Sequence, residues 1–234
     1  MGDLPVLTAD NLALSYGRTV ALASASATVR RGEVVAVRGP SGSGKSTMLQ
    51  CMAGLVRPDS GVVTFDGTEV TSLSGRMRSQ LRLREFGFVF QNSELVPELT
   101  LRENVTLPLE LTGFPRARRA RRVAELLDRL GIAREADRRP AQVSGGQAQR
   151  AAVARAVAHR PRVVFADEPT GALDRENGTA VLDLLMELAR ADDTAVVLVT
   201  HDAIVAERAD RTVEMCNGKT ASAGVLRGMT GVAT

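Results

Sequence analysis

Gly39-Pro40-Ser41-Gly42-Ser43-Gly44-Lys45-Ser46-Thr47 lies between a short apolar run, Val34 to Val37, and a run with helical spacing through Met48, Leu49, Met52 and Leu55. The first run reads as a strand buried on both faces, and Gly54 and Pro58 mark the end of the helix. A glycine-rich loop that carries a Lys-Ser pair between strand and helix is the phosphate-loop arrangement. Its glycines let main-chain N–H groups converge on phosphate oxygens without obstruction by side chains. The helix start at Gly44 and Lys45 adds the positive end of a helix dipole. In this arrangement Lys45 reaches the β- and γ-phosphates, and the Ser46 hydroxyl coordinates magnesium. A flexible Gly/Ser loop would explain the composition, but not the Lys-Ser pair with both flanking elements.

Val163-Val164-Phe165-Ala166-Asp167-Glu168 supplies what the loop lacks. It reads as a buried strand with two carboxylates at its C-terminal end, where ligands of open α/β sheets collect. Asp167 is placed to hold the magnesium shell, and Glu168 to orient or deprotonate an attacking water. Two acids at a strand end also occur in ordinary solvated turns. Their pairing with the phosphate loop favours nucleotide binding with hydrolysis.

Working outward, Leu12, Leu14 and Tyr16 alternate with polar residues, the chain turns at Gly17, and Val20 to Val29 resumes, which predicts a hairpin. Val62 to Phe65 with the Asp66-Gly67 turn, and Phe86 to Phe90, read as further strands. From Ser93 to Gly145 helical periodicity takes over: Val123, Leu126, Leu127 and Leu130 fall on one face, and Gly131 stops the helix. Ala148 to Ala158, ended near Pro161, and a segment containing Val181 to Leu188 read as helices, and Ala195 to Thr200 as a strand. This alternation predicts an α/β fold, a mainly parallel sheet covered by helices.

The chain has 234 residues and is 44% hydrophobic, enough for a substantial core. Its net charge of +3 comes mainly from Arg, concentrated in Arg76 to Arg84 and Arg116 to Arg122, runs that ordinarily form solvated helix faces. Cys51 and Cys216 are too few and too far apart for a disulfide scaffold or metal cluster, and both are expected as small core residues. Met1 to Pro5 does not read as a signal peptide. No run approaches the roughly 20 apolar residues of a spanning helix, so a membrane role is expected through a partner.

Val143-Ser144-Gly145-Gly146-Gln147-Ala148-Gln149-Arg150 completes the set. With it the chain resembles the ATP-binding subunits of ABC transporters over nearly its whole length. Val143 and Ala148 depart from the most familiar form of the signature, but the Ser-Gly-Gly core is intact. The resemblance implies a P-loop NTPase core of mainly parallel sheet, an antiparallel β subdomain and an inserted helical subdomain. The boundaries that follow are 1–92 for the first part of the core and 93–145 for the helical insertion, whose signature helix runs on to about 159. The second part of the core is 160–219, and 220–234 is expected as a flexible tail.

Physically, Ser144 and the adjacent amides of Gly145, Gly146 and Gln147 can donate to phosphate oxygens from a helix start. The resemblance implies that they do so to ATP held by the phosphate loop of a second copy, in a head-to-tail dimer with two composite sites. By the same resemblance, Gln91 touches magnesium and water, His201 senses the γ-phosphate and supports attack by water, Tyr16 stacks on adenine, and Asp174 communicates across the dimer. A structural His after a strand and a core Tyr are the alternatives for His201 and Tyr16. The cofactors implied are ATP and Mg2+.

Gly87-Phe88-Val89-Phe90-Gln91-Asn92, Leu95 to Thr100, Glu103-Asn104-Val105, Leu107-Pro108-Leu109 and Asp167 to Asp174 resemble the lipoprotein-release, macrolide-export and cell-division-type group. Integral membrane permeases, some with a large extracytoplasmic domain, are the partners this implies. Export or extraction from the membrane is the work, and the inner face of the cell membrane the location. The surface around Gln91 to Val105 would dock the permease, although Leu95, Val96, Pro97 and Leu99 fit a subdomain core equally. A regulatory ATP-binding module with slow turnover is the alternative. A DNA-repair ATPase is disfavoured, because the interval from Gln91 to Ser144 is too short for a long coiled coil, and one Tyr with modest positive charge makes a poor nucleic-acid platform.

Overall fold

Strands β1 (Pro5–Tyr16) and β2 (Thr19–Arg30) pair antiparallel around the Gly17 turn, with Tyr16 opposite Thr19. Leu12 and Leu14 point into the core, as the alternation predicts, and Leu7, Leu22, Ala25 and Val29 join them across irregularities in the strand register. A computed structural model describes residues 4–221, which form two units. Among these residues the first unit comprises 4–30, 35–72 and 199–221, and the second 31–34 and 73–198.

In the first unit, β3 (Val34–Arg38) leads through the glycine-rich loop into α1 (Lys45–Met52). β4 (Ser60–Phe65) pairs antiparallel with β1, and β5 (Thr68–Glu69) closes a short hairpin at Asp66-Gly67, both in the left-handed region. The rest of this sheet comes from the far end of the chain, as described below.

The second unit opens with α2 (Gly75–Glu85), which buries none of its residues and is the Arg-rich solvated face expected there. β6 (Phe86–Phe90), α3 (Leu101–Leu111) and α4 (Arg116–Arg129) follow. After two 3-10 turns at Ala133–Glu135 and Pro140–Gln142 comes α5 (Gly145–Val157), then β7 (Val163–Asp167), α6 (Arg175–Ala191) and β8 (Ala195–Thr200). β6 and β7 are parallel, with Phe86 opposite Val163 and Phe90 opposite Asp167. Phe165 meets Phe86 edge-on at 5.1 Å and stacks on Phe88 at 5.7 Å. Alanine is the commonest residue of α5 and the one with the lowest cost in a helix, and these small side chains let it lie close on β6. A Cβ at Gly87 would stand only 2.2 Å from the Ala156 carbonyl oxygen.

Returning to the first unit, α7 (Ala203–Ala206) is capped by Asp202 and followed by β9 (Arg211–Cys216) and β10 (Lys219–Thr220). β9 runs parallel to β3, and β10 joins β9 to β2. Thr220 and Ala221, expected in the flexible tail, are held: Thr220 Oγ1 accepts from Ser26 N at 2.9 Å, and Ala221 N donates to Glu214 O at 2.9 Å. The remainder of that tail, 222–234, lies outside the described residues. Cys51 is buried as expected, and burial, followed by the charge of Asp59, pushes its thiol up to about 12. Cys216 is not a core residue. It ends β9 on the face opposite to buried Met215 and is exposed. Among the described residues no helix is long and apolar enough to cross a membrane.

Candidate nucleotide site

Gly39 to Gly44 forms a loop that leads into the first turn of α1, which carries Lys45, Ser46 and Thr47. Lys45 is buried, and its ammonium donates to Pro40 O at 2.9 Å, so the side chain folds back across the loop. Ser43 N also donates to Pro40 O, at 3.2 Å, and Gly218 N to Ser43 O at 3.0 Å, which fastens the loop to the β9–β10 turn. Gly44 adopts φ 100, and a Cβ there would stand 2.4 Å from Ala21 O, so only glycine starts the helix at this closeness to β2.

The first turn of α1 has no side-chain cap and no acidic residue. Helix-start amides point out of the helix end and attract anions. The Ser43 hydroxyl is buried without a hydrogen-bond partner, and the space where a Gly42 side chain would project is open. An uncapped helix start, a buried ammonium and an orphaned hydroxyl form a donor set that fits phosphate oxygens. Two other expected residues belong to this unit. Tyr16, at the end of β1, is 53% exposed, so its ring does not belong to the core. His201, just after β8, is exposed.

In the second unit the register of β6 on β7 decides the geometry. Phe90 pairs with Asp167, so Gln91 and Glu168 leave two adjacent parallel strands at the same level. Glu168 takes φ 47, which turns the chain sharply after Asp167. Gln91 reaches across to Gly171, whose Cβ would stand 2.9 Å from Gln91 Nε2. Gln91, Asp167, Glu168 and the loop Gly171 to Asp174 are therefore gathered at one end of the strand pair. Within this unit Asp167 and Gln91 offer a carboxylate and an amide oxygen at the same strand ends, hard oxygen ligands of the kind that suit magnesium.

Ser144 caps α5: its hydroxyl accepts from Gln147 N at 3.2 Å, and Gln147 Oε1 accepts from Ser144 N at 3.0 Å. This capping box uses the Ser144 oxygen only as an acceptor, so its proton remains for donation. Asp174 caps α6 in turn, accepting from Asn177 N at 3.0 Å and Asn177 Nδ2 at 2.6 Å. A Cβ at Gly146 would stand 3.7 Å from the Asn177 side chain, so the starts of α5 and α6 adjoin. Two residues that the site reading missed also serve this region. Gln149 and Arg155 on α5 hydrogen-bond the main chain on either side of Gln91.

Residues 22–171 match the family model described as ABC transporter. The chain belongs to the ABC transporter family. It is 40% identical over 222 residues to the lipoprotein-releasing system ATP-binding protein LolD of Legionella pneumophila (strain Paris), covering 93% of this chain and 97% of that one. It is 46% identical over 191 residues to the macrolide export ATP-binding/permease protein MacB of Nitrosomonas europaea, covering 82% of this chain but 29% of that longer protein. Among solved structures it superposes, at 37% identity and a TM-score of 0.85, on the dimeric ATP-binding cassette MJ0796 in a post-hydrolysis state bound to ADP and Pi, covering 92% of this chain and 97% of that one. The fold is that of a P-loop ABC ATPase, and the chain is an ATP-hydrolysing nucleotide-binding subunit of an ABC-type transporter.

Proposed function

We propose that this subunit holds ATP on Gly39 to Thr47, hydrolyses it with Glu168, and drives export or extraction of a substrate by a membrane permease. The observation that carries the hydrolytic part is the β6–β7 register, which sets Gln91 beside Glu168 where two parallel strands end.

Lys45 and the start of α1 bind the β- and γ-phosphates, Ser43 donates its orphaned hydroxyl to them, and Tyr16 stacks on the adenine. Ser46, Asp167 and Gln91 would hold Mg2+, which supplies charge neutralisation on the phosphate oxygens. Glu168 orients water and takes its proton, and His201 supports the attack from beside the γ-phosphate. Ser144 to Gln147 donate to the ATP of a second copy in a head-to-tail dimer, with Asp174 at the seam. MJ0796, similar over most of this chain, is dimeric in its solved form. Closure excludes water and strengthens these electrostatic contacts.

The permease anchors the subunit at the cytoplasmic face of the membrane. Similarity to lipoprotein-releasing and macrolide-export proteins supports export or extraction as the work.

Glu168→Gln tests the reading. Hydrolysis falls by about 10²–10⁴, the range for loss of a general base, while ATP affinity is kept and ATP now drives dimer formation on gel filtration. Wild-type turnover in that variant overturns the role of Glu168.

A further inference from the structure

α5 starts at Ser144, and two of its side chains reach from there to the main chain around Gln91. Gln149 is 2% exposed, and its single NH2 group donates to two carbonyl oxygens, Phe90 O at 2.8 Å and Pro169 O at 2.8 Å. Phe90 directly precedes Gln91, and Pro169 directly follows Glu168. Farther along the helix, Arg155 donates from Nη2 to Ser93 O at 2.9 Å and from Nη1 to Glu94 O at 2.6 Å. α5 thus grips the chain on both sides of Gln91 and, through the same Gln149 group, the turn after Glu168.

The residue types suit this task. A glutamine presents two N–H bonds on one planar group, whereas a glutamate would face the two carbonyls with acceptors only. Ser93 and Glu94 both lie in the left-handed region, at φ 58 and φ 48. Consecutive non-glycine residues persist there only when their surroundings hold them, and the rigid guanidinium fork does so with two bonds. The helix also has no slack against the strand, because β6 touches α5 at Gly87 and Ala156.

We propose that Gln149 and Arg155 are positioning residues that set Gln91 against Glu168, so that displacement of the Ser144 end of α5 is passed to the side chain facing magnesium and water. This rests on the roles proposed above for Gln91 and Glu168.

The test measures the hydrolysis rate constant at saturating ATP, ATP affinity and the magnesium dependence of the rate for Gln149→Met and Arg155→Met, each alone and combined with Gln91→Ala. Each single α5 variant is expected to lose about tenfold in rate, within the roughly hundredfold that ångström-scale misplacement can cost. ATP affinity stays within about twofold, and more magnesium is needed for half-maximal rate. In the Gln91→Ala background the α5 substitutions cost less than about twofold more, because coupled residues are non-additive. Thermal melting checks folding, and if Gln149→Met does not fold, the same cycle is read on Arg155→Met.

A full further tenfold loss in the Gln91→Ala background overturns the proposal while leaving the role of Gln91 intact. An unchanged rate in the single α5 variants overturns it as well. Wild-type hydrolysis by Gln91→Ala itself removes the role of Gln91 and the proposal with it.

Discussion

Gly171 leaves the room that the Gln91 side chain occupies: a Cβ at Gly171 would stand 2.9 Å from Gln91 Nε2, 3.2 Å from its Cδ and 3.3 Å from its Cγ. Gln91 directly follows β6 and Gly171 follows the Glu168 turn, so this contact joins the two segments for which water and metal chemistry is proposed. The atoms in the way belong to a flexible side chain, which yields more readily than backbone.

Gly171→Ala is therefore expected to fold normally and to move Gln91 aside. Its hydrolysis rate falls by about tenfold, the scale of a small misplacement near reacting groups, while ATP affinity holds. Steady-state ATPase assays beside nucleotide-binding titrations check this, and an unchanged rate shows that the Gln91 position seen here does not matter to catalysis.

Much of this site is legible because its parts are contiguous in sequence. The phosphate loop needs only the Val34 to Val37 strand and the helix after it, and Asp167 and Glu168 need only the apolar strand they end. Gln149 and Arg155 were illegible for the opposite reason. Their acceptors are main-chain carbonyls 59, 20, 62 and 61 residues away, and a carbonyl leaves no trace in residue type. α2 buries nothing, so it has no apolar period to read, only its run of Arg. β9 and β10 are short, yet Asn217-Gly218, both at positive φ, is a strong hairpin signal. That signal also accounts for Cys216, which precedes the turn and faces outward.

Asp174 gives a pH test. The Asn177 main-chain N–H, followed by the Asn177 side chain, holds its carboxyl below the ordinary 3.8. A carboxylate depressed in the folded state stabilises the fold above its unfolded value and loses that contribution as pH falls through the folded value. Wild type should thus melt above Asp174→Ala by a constant margin at neutral pH, with the margin closing below pH 3.8. Asp174→Asn, an equally good cap, keeps most of the margin at neutral pH and shows no such closing. A margin that is independent of pH excludes the charged cap.

The far end of α5 is held by a buried charge. Arg122 on α4 is 7% exposed and donates from Nη2 to Asp192 Oδ2 at 2.8 Å and to Val157 O at 3.3 Å, and from Nε to Ala158 O at 3.4 Å. The guanidinium therefore closes the C-terminal carbonyls of α5, where a positive charge is favoured, and neutralises Asp192 at the end of α6. Removing one partner of a buried pair costs about 3–5 kcal/mol. Here the loss is smaller, because the Asp192 side chain keeps 20% exposure and Arg160 Nε lies 3.5 Å from its other oxygen. Arg122→Met, which fills the same space without charge, should lower unfolding stability by about 2 kcal/mol, below the range for fully buried pairs. Urea denaturation reads this as a shifted midpoint at constant slope. Arg122→Met with Asp192→Leu should recover part of the loss, since no buried charge of the pair is then left without its partner, and Arg160, which also loses Asp192, has a solvated side chain. If the double variant is as unstable as the two losses added, Arg122 and Asp192 act independently, and α5 is anchored through its carbonyls alone.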